Sequence, residues 1–274
     1  MKNANFNLTI VSVATGKYLA YWREMYLSAI RYLDPAIKIQ FVVFTDKPNE
    51  VEIVPLENER IHISVVVIEG KKWPFPTLLR YEFIKDNYDK IFGENMMHLD
   101  ADMLFVDYVS KEDIALLVVG ERIGLVLHPG FYRKKGNDLL RTYFLNPRIL
   151  IRDMKLRVFS GGRGSWETDR NSLAFVQRKK RKEYFCGATW IGPRNKTLEM
   201  CLMLAARVNA DLEKNVIAKF HDESHLNWYA TTIEKNVSDP RYCYDNSQKN
   251  LNAIRPKILA VDKSIDFPWV RDSN

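Results

Sequence analysis

Three short stretches hold the side chains best equipped for chemistry. In Met97-His98-Leu99-Asp100-Ala101-Asp102-Met103, two carboxylates stand one residue apart behind an apolar run. Such a pair suits a hard divalent ion, Mg²⁺ or Mn²⁺, which takes one or two carboxylates and fills its other positions with substrate phosphate and water. An ordinary acidic turn has the same signature. In His221-Asp222-Glu223-Ser224-His225, two imidazoles fall one helical turn apart and could face one metal. A zinc peptidase places its glutamate directly after the first histidine; here Asp222 follows, and Glu223 is turned by about 100° on the helix. The same segment could instead offer Asp222 and Glu223 to a substrate, or simply start a helix with acidic residues near its N-terminus. His128-Pro129-Gly130-Phe131-Tyr132 is a turn presenting an imidazole and two rings.

Five cations in a row, Arg178-Lys179-Lys180-Arg181-Lys182, follow Gln177. A run of this kind is commonly a solvated face, and it also fits an anion-binding loop or a nucleic-acid patch. No interleaved aromatics or helix-turn-helix pattern accompany it. Neither a P-loop nor Gly-x-Gly-x-x-Gly occurs, which argues against ATP hydrolysis and dinucleotide binding.

The elements that must position these groups alternate in type over the first hundred residues. Leu8 to Val13 reads as a buried strand, and Ala14-Thr15-Gly16 turns the chain. From Tyr18 to Leu33, apolar residues recur at steps of three and four, which predicts an amphipathic helix. Ile39 to Phe44 and Ile61 to Ile68 predict two more strands. Thr77 to Tyr88 predicts a second helix, and Asn95 to Leu99 a short strand ending at the acidic pair. This order is that of an α/β unit with a mixed, mainly parallel sheet, in which ligands collect beyond the carboxyl ends of the strands. The second half is less regular: an apolar run from Ile114 to Leu127, a polar basic stretch, and a helical segment from Leu198 to Val208. No internal repeat or linker divides it, so residues 1–274 are expected to share one core.

The chain has 274 residues, 46% apolar and 27% charged, with 41 Lys plus Arg against 34 Asp plus Glu and a formal net charge of +7. A disordered or collagen-like chain is excluded. The basic balance leaves nucleic acid, an anionic lipid surface and phosphorylated small molecules open as partners. Cys186, Cys201 and Cys243 are too scattered for a disulfide framework and read as free thiols. The longest apolar stretches are strand-length and the N-terminus lacks a secretory pattern, so a soluble cytoplasmic protein is expected.

Taken together, Gly16-Lys17-Tyr18, Phe44-Thr45-Asp46, Trp73 with Arg80, Asp100-Ala101-Asp102-Met103, Leu127-His128-Pro129-Gly130-Phe131-Tyr132 and His221-Asp222-Glu223-Ser224-His225-Leu226-Asn227 span almost the whole chain. In this order and spacing the chain resembles glycosyltransferase family six, which includes the histo-blood-group A and B transferases and the α1,3-galactosyltransferases. The resemblance implies a GT-A fold in one domain: a Rossmann-like nucleotide-sugar half over 1–103, an acceptor and catalytic half over 104–260, and a basic tail over 261–274 that closes on the diphosphate. It implies transfer of galactose or N-acetylgalactosamine from the UDP-sugar to the 3-hydroxyl of a galactoside, with retention of configuration. Val13, Ala14, Thr15 and Tyr18 would hold uracil and ribose. Asp100 and Asp102 would hold Mn²⁺ (or Mg²⁺) on the diphosphate, and Lys263 and Arg271 would close over it. Arg80, Asp222, Cys186, Gly187 and Ala188 would surround the donor sugar. His128, Ser165, Trp166, Phe220 and Asp245 would face the acceptor, and Glu223 would lie beneath the anomeric carbon, acting either by covalent capture or by stabilising front-face attack.

Several positions depart from the family pattern. Many bacterial relatives carry Asn-x-Asn in place of the acidic pair; this chain keeps both acids, so metal dependence is expected. A protein without the anchor and stem of the animal enzymes is expected, as in the soluble microbial members. Phe220 replaces a usual Trp, and Trp190-Ile191-Gly192 replaces a more usual Phe-Gly-Gly. The cationic run lies where relatives are often acidic, which suggests an anionic acceptor and a peripheral contact with an anionic lipid-linked one. Cys186 is small enough to leave room for an acetamide, whereas Ala188 is the residue of some galactose-specific members; the balance leans slightly to N-acetylgalactosamine. A zinc hydrolase built on His221 and His225, and a basic nucleic-acid-binding protein, are the readings from other classes.

Overall fold

Leu8–Val13 (β1) and Ile39–Thr45 (β2) are apolar almost throughout because both of their faces are covered. The computed structural model describes residues 7–51, 60–134, 136–248, 251 and 254–262. Tyr18–Tyr32 (α1) buries Leu19, Trp22, Met25, Tyr26 and Ala29 on one face of β1 and β2. Ile61–Val67 (β3) pairs with β2 in parallel at the sheet edge. The stretch predicted as one helix over 77–88 is two, Phe75–Leu78 (α2) and Arg80–Asp86 (α3). Leu79, at φ −91° and ψ 6°, leaves helical geometry between them. The break lets the Arg80 Nε reach back to donate to the Thr77 carbonyl at 3.0 Å.

Asn95–Leu99 (β4) lies parallel to β1 and is followed by the acidic pair and the short Met103–Phe105 (β5). The apolar run 114–127 resolves into the helix Lys111–Leu117 (α4), opened by a Ser110/Asp113 capping box, and the strand Ile123–Leu127 (β6). Asn137–Leu145 (α5) and Pro147–Lys155 (α6) form a helical pair, and one π-helical turn, Leu156–Ser160, extends it. Phe185–Pro193 (β7) runs antiparallel between β4 and β6. Arg194–Glu213 (α7) extends the predicted 198–208 helix at both ends, and His221–Ala230 (α8) packs beside it. Lys235–Ser238 (β8) pairs in parallel with β6, and Ile258–Ala260 (β9) pairs with β5.

The seven-stranded sheet has the order β3-β2-β1-β4-β7-β6-β8. Its strands are mainly parallel, with β7 the antiparallel insertion. α1 covers one face while α3, α7 and α8 cover the other, giving the GT-A-like single-domain architecture that the sequence suggested. Replacing the family's Phe-Gly-Gly does not interrupt β7: Trp190 is fully buried opposite His98 and stacks on its ring at 5.1 Å. All three cysteines are free and buried. Among the described residues no helix is long and apolar enough to cross a membrane.

Candidate active site

A cavity of about 610 Å³ opens beyond the carboxyl ends of β1, β2 and β4. Strand order produces it: the chain leaves β1 into α1 and leaves β4 into a tight turn, so the loops diverge there. Val13, Thr15 and Tyr18 line it from the β1–α1 turn, where Gly16, at φ +54°, donates its N–H to Asp46 Oδ1 at 2.9 Å. Asp100 and Asp102 line it from the β4 tip, and Lys17, Lys71 and Lys72 bring cations to its wall. A smaller cavity of about 260 Å³ shares Trp73, Thr77, Arg80 and Asp100 with the first and adds His128, Gly187, Ala188, Phe220, Asp222 and Glu223. The two are therefore halves of one cleft.

Arg80 is the buried cation between them. Its Nη1 lies 2.8 Å from Asp100 Oδ1 and donates to the Gly187 carbonyl, while Nε is 3.3 Å from Asp222 Oδ2. Burial works against the guanidinium charge, but Asp100 and Asp222 outweigh it and raise the pKa above the ordinary value. Burial also opposes ionisation of Asp100, yet Arg80 and then His98 hold its carboxyl well below the usual carboxylate range. Burial, reinforced by Arg80, pushes His98 down to about 4, so the ring is neutral near pH 7. Its Nε2 then either accepts from Arg80 or donates to Asp100, since one nitrogen cannot do both.

Asp222 and Glu223 titrate the other way. Burial drives Asp222 up to about 7 against the pull of Arg80, with Asp100 and Glu223 adding repulsion. Burial likewise lifts Glu223 to about 7, although the Gly187 N–H and the Tyr184 hydroxyl favour its anion. Gly187 donates to Glu223 Oε2 at 2.8 Å and Tyr184 donates to Oε1 at 2.7 Å. The approach is tight: a Cβ at Gly187 would stand 3.1 Å from Glu223 Cβ and 3.2 Å from Asp222 Oδ2, so α8 would have to give by a few tenths of an ångström. Asn227, one turn further along α8, accepts from the Phe185 N–H and donates to the Phe185 carbonyl, pinning the helix to the start of β7.

On the third wall, His128 Nδ1 accepts from the Gly130 N–H at 3.1 Å, which assigns the ring proton to Nε2. Burial pushes this imidazole down to about 4, and Asp245 and Arg152 act on it electrostatically with opposite sign. Among the expected donor residues, Val13, Thr15, Tyr18, Arg80, Asp100, Asp102, Gly187, Ala188 and Asp222 line the cleft. Ala14 is buried beneath it, and Cys186 lies in the core beside Cys243 rather than in the sugar cavity. Among the expected acceptor residues, His128 and Phe220 line the smaller cavity with Glu223. Ser165 and Trp166 do not: Trp166 is buried edge-on against Tyr184, and the Ser165 carbonyl lies 3.3 Å from the Tyr184 hydroxyl. Asp245 does not line the cleft either, although its field reaches His128. Lys263 and Arg271 lie outside the described residues.

Tyr184, Asn227, His98 and the lysines at 17, 71 and 72 had no role in the sequence reading. Lys17, His98 and Asn227 stand inside the quoted motifs without an assigned role, and the signal for Tyr184 was its place two residues before Cys186. The two histidines of α8 do not share a site. His221 stands edge-on to Trp73 at the cleft mouth, whereas His225 is buried 3.6 Å from Asp211. Among the described residues no group of three or more His, Cys, Asp or Glu side chains could hold a metal. The cationic run is divided too. Arg178 and Arg181 donate to backbone carbonyls of Arg157, Val158, Ser160 and Val176, while Lys179, Lys180 and Lys182 border a separate cavity of about 420 Å³.

The model of glycosyltransferase family 6 matches residues 1–143 and 157–272. Histo-blood group ABO system transferase 1 of Rattus norvegicus is 25% identical over 270 residues, covering 96% of this chain and 68% of the rat protein. O-antigen biosynthesis glycosyltransferase WbnI of Escherichia coli is 25% identical over 226 residues, 81% of each chain. Globoside alpha-1,3-N-acetylgalactosaminyltransferase 1 of Homo sapiens is 24% identical over 266 residues, 95% of this chain and 68% of the human one.

Proposed function

The chain belongs to glycosyltransferase family 6, and from that premise we propose that it moves galactose or N-acetylgalactosamine from its UDP-sugar to the 3-hydroxyl of a galactoside in α linkage, with retention and with a divalent metal. Residues 1–103 bind the nucleotide sugar and 104–260 carry the acceptor and Glu223, with the reaction in the cytoplasm. The observation that carries this reading is one cleft in which Glu223 shares a cavity with Arg80 and Asp100 while Asp100 and Asp102 line the nucleotide-sized half. Relatives named for blood-group, globoside α1,3-N-acetylgalactosaminyl and O-antigen transfer support the class of donor and acceptor.

The donor set suits the expected Mn²⁺ or Mg²⁺. Asp100 and Asp102 offer hard oxygens on one wall, Asp100 is a third exposed there, and its Oδ2 has no hydrogen bond among the described residues. Asp100 and Asp102 would hold the ion, which would stabilise negative charge on the departing UDP. Lys17, Lys71 and Lys72 add cationic charge to the same side. When the anomeric C–O bond breaks, its electron pair leaves with UDP and positive charge grows on the sugar. Glu223, ionised, meets that charge as a countercharge or as a nucleophile. Tyr184 and Gly187 hold its two oxygens, so the carboxylate is oriented before the donor arrives. His128, with its proton on Nε2, offers a donor to an acceptor oxygen. Asp222 and Arg80 form a polar pair suited to sugar hydroxyls.

The test is incubation with Mn²⁺, a galactoside and either UDP-galactose or UDP-N-acetylgalactosamine. An α1,3-linked product by NMR, lost on Glu223→Gln and on Asp102→Asn, is expected. No UDP release with either donor, or full transfer after stripping with a chelator, would contradict the reading.

A further inference from the structure

The helical pair α5–α6 and the π-helical turn after it carry an apolar face that none of the described residues covers. On α5, Leu140, Phe144 and Leu145 are 67%, 85% and 65% exposed; Ile151 and Met154 on α6 and Val158 and Phe159 beyond it are more than half exposed. Leu140 and Phe144 are one turn apart, and Ile151, Met154 and Val158 follow at steps of three and four, so each row lies along one side of its helix. Five exposed cations accompany them, Arg141, Arg148, Arg152, Lys155 and Arg157, against a single exposed acid, Asp138. The remaining acid of the segment, Asp153, is buried and neutralised by Arg133 at 2.9 Å. Arg178, from the five-cation run, donates to the Arg157 and Val158 carbonyls, so Lys179 and Lys180 extend the basic rim.

Apolar rows flanked by Arg and Lys are the composition of a helix that lies in the plane of an anionic bilayer surface, its rings in the acyl boundary and its cations among the headgroups. Phe144, Leu145, Ile151 and Met154 also fall between the two segments that the family model matches. We propose that α5, α6 and the following turn dock this protein on an anionic lipid surface. The anchor is firm on the protein side: Asp153 takes Arg133 on both oxygens and the Tyr143 hydroxyl on one. Arg152 also reaches the acceptor wall, its guanidinium 5.4 Å from the centre of the Phe131 ring. Docking therefore brings the His128 side of the cleft next to the bilayer, where a lipid-borne acceptor would present its sugar. The docking itself does not depend on the transfer reading.

The test is co-sedimentation of the full chain with phosphatidylglycerol–phosphatidylcholine vesicles and with phosphatidylcholine vesicles alone, with light scattering in the absence of lipid. The double variant Phe144→Glu/Phe159→Glu changes two rings that are at least four-fifths exposed, and Arg148→Glu/Lys155→Glu leaves the apolar rows intact. The native chain should pellet with the anionic vesicles only, and each double variant should lose at least tenfold in partitioning while keeping its melting temperature. A chain that stays in the supernatant, pellets equally with neutral vesicles, or pellets undiminished in both variants overturns the proposal. A dimer that Phe144→Glu/Phe159→Glu dissolves, without vesicle binding, would assign the face to a second copy instead.

Discussion

Asp100, at the tip of β4, and Glu223, near the start of α8, are carboxylates on opposite walls of one cleft. Asp100 lies 2.8 Å from a buried guanidinium and 3.1 Å from an imidazole through a single oxygen. Glu223 receives only neutral donors, a phenol and a backbone amide. Burial raises the pKa of both, but only Asp100 has a charge close enough to reverse it. One wall is therefore held permanently anionic, suited to a metal and a nucleotide. The other is poised near 7 and can change protonation during a reaction. Environment rather than residue type separates the two roles.

The largest expected effect breaks the reactive wall. Glu223→Gln keeps shape and hydrogen-bonding capacity but removes the charge, and turnover should fall on the order of 10³-fold. Steady-state UDP release checks this. Next in size, Arg80→Met removes the cation that the two walls share and leaves the buried Asp222 and the partly buried Asp100 without it. Thermal denaturation should show a loss of roughly 3 kcal/mol or more. A smaller effect sharpens the contrast through pH. With Glu223 raised to about 7, turnover should fall about tenfold per pH unit below that value and level off above it. Binding of the UDP-sugar, whose diphosphate has no titration in this range, should change less than turnover down to pH 5, because Asp100 stays ionised and His98 stays neutral.

The smallest effect is on stability. Folded Glu223 and Asp222 hold protons that the unfolded chain releases near its ordinary carboxylate values, so their contribution falls as pH rises from about 4 to 7. Asp100 acts oppositely: its contribution is present above its ordinary value and is lost as pH falls below it. Glu223→Gln should therefore stabilise the protein by about 1–2 kcal/mol at pH 8 and give no gain at pH 4. Melting curves at the two pH values decide it.

The strand-end wall was legible in the sequence because local signals built it. β1 and β4 match the predicted strands residue for residue, and the acidic pair follows β4 at once. The opposite wall depends on contacts between segments distant in the chain, such as Tyr184 with Glu223 and Asn227 with Phe185. Spacing does not reveal these. β7 carries Gly187, Gly192 and Pro193, residue types that weaken a strand signal, and Gly187 is also where the strand packs tightly on α8. α5 and α6 were hidden in a stretch read only as polar and basic. Their apolar rows do not face the core, so periodicity marked no packing partner.

The central claim is that the two walls do different work, and titration calorimetry of UDP in Mn²⁺ against the native chain, Asp102→Asn and Glu223→Gln tests it most directly. UDP should bind Glu223→Gln as tightly as the native chain and bind Asp102→Asn at least tenfold more weakly. Equal weakening in both variants, or undiminished binding to Asp102→Asn, would contradict the account.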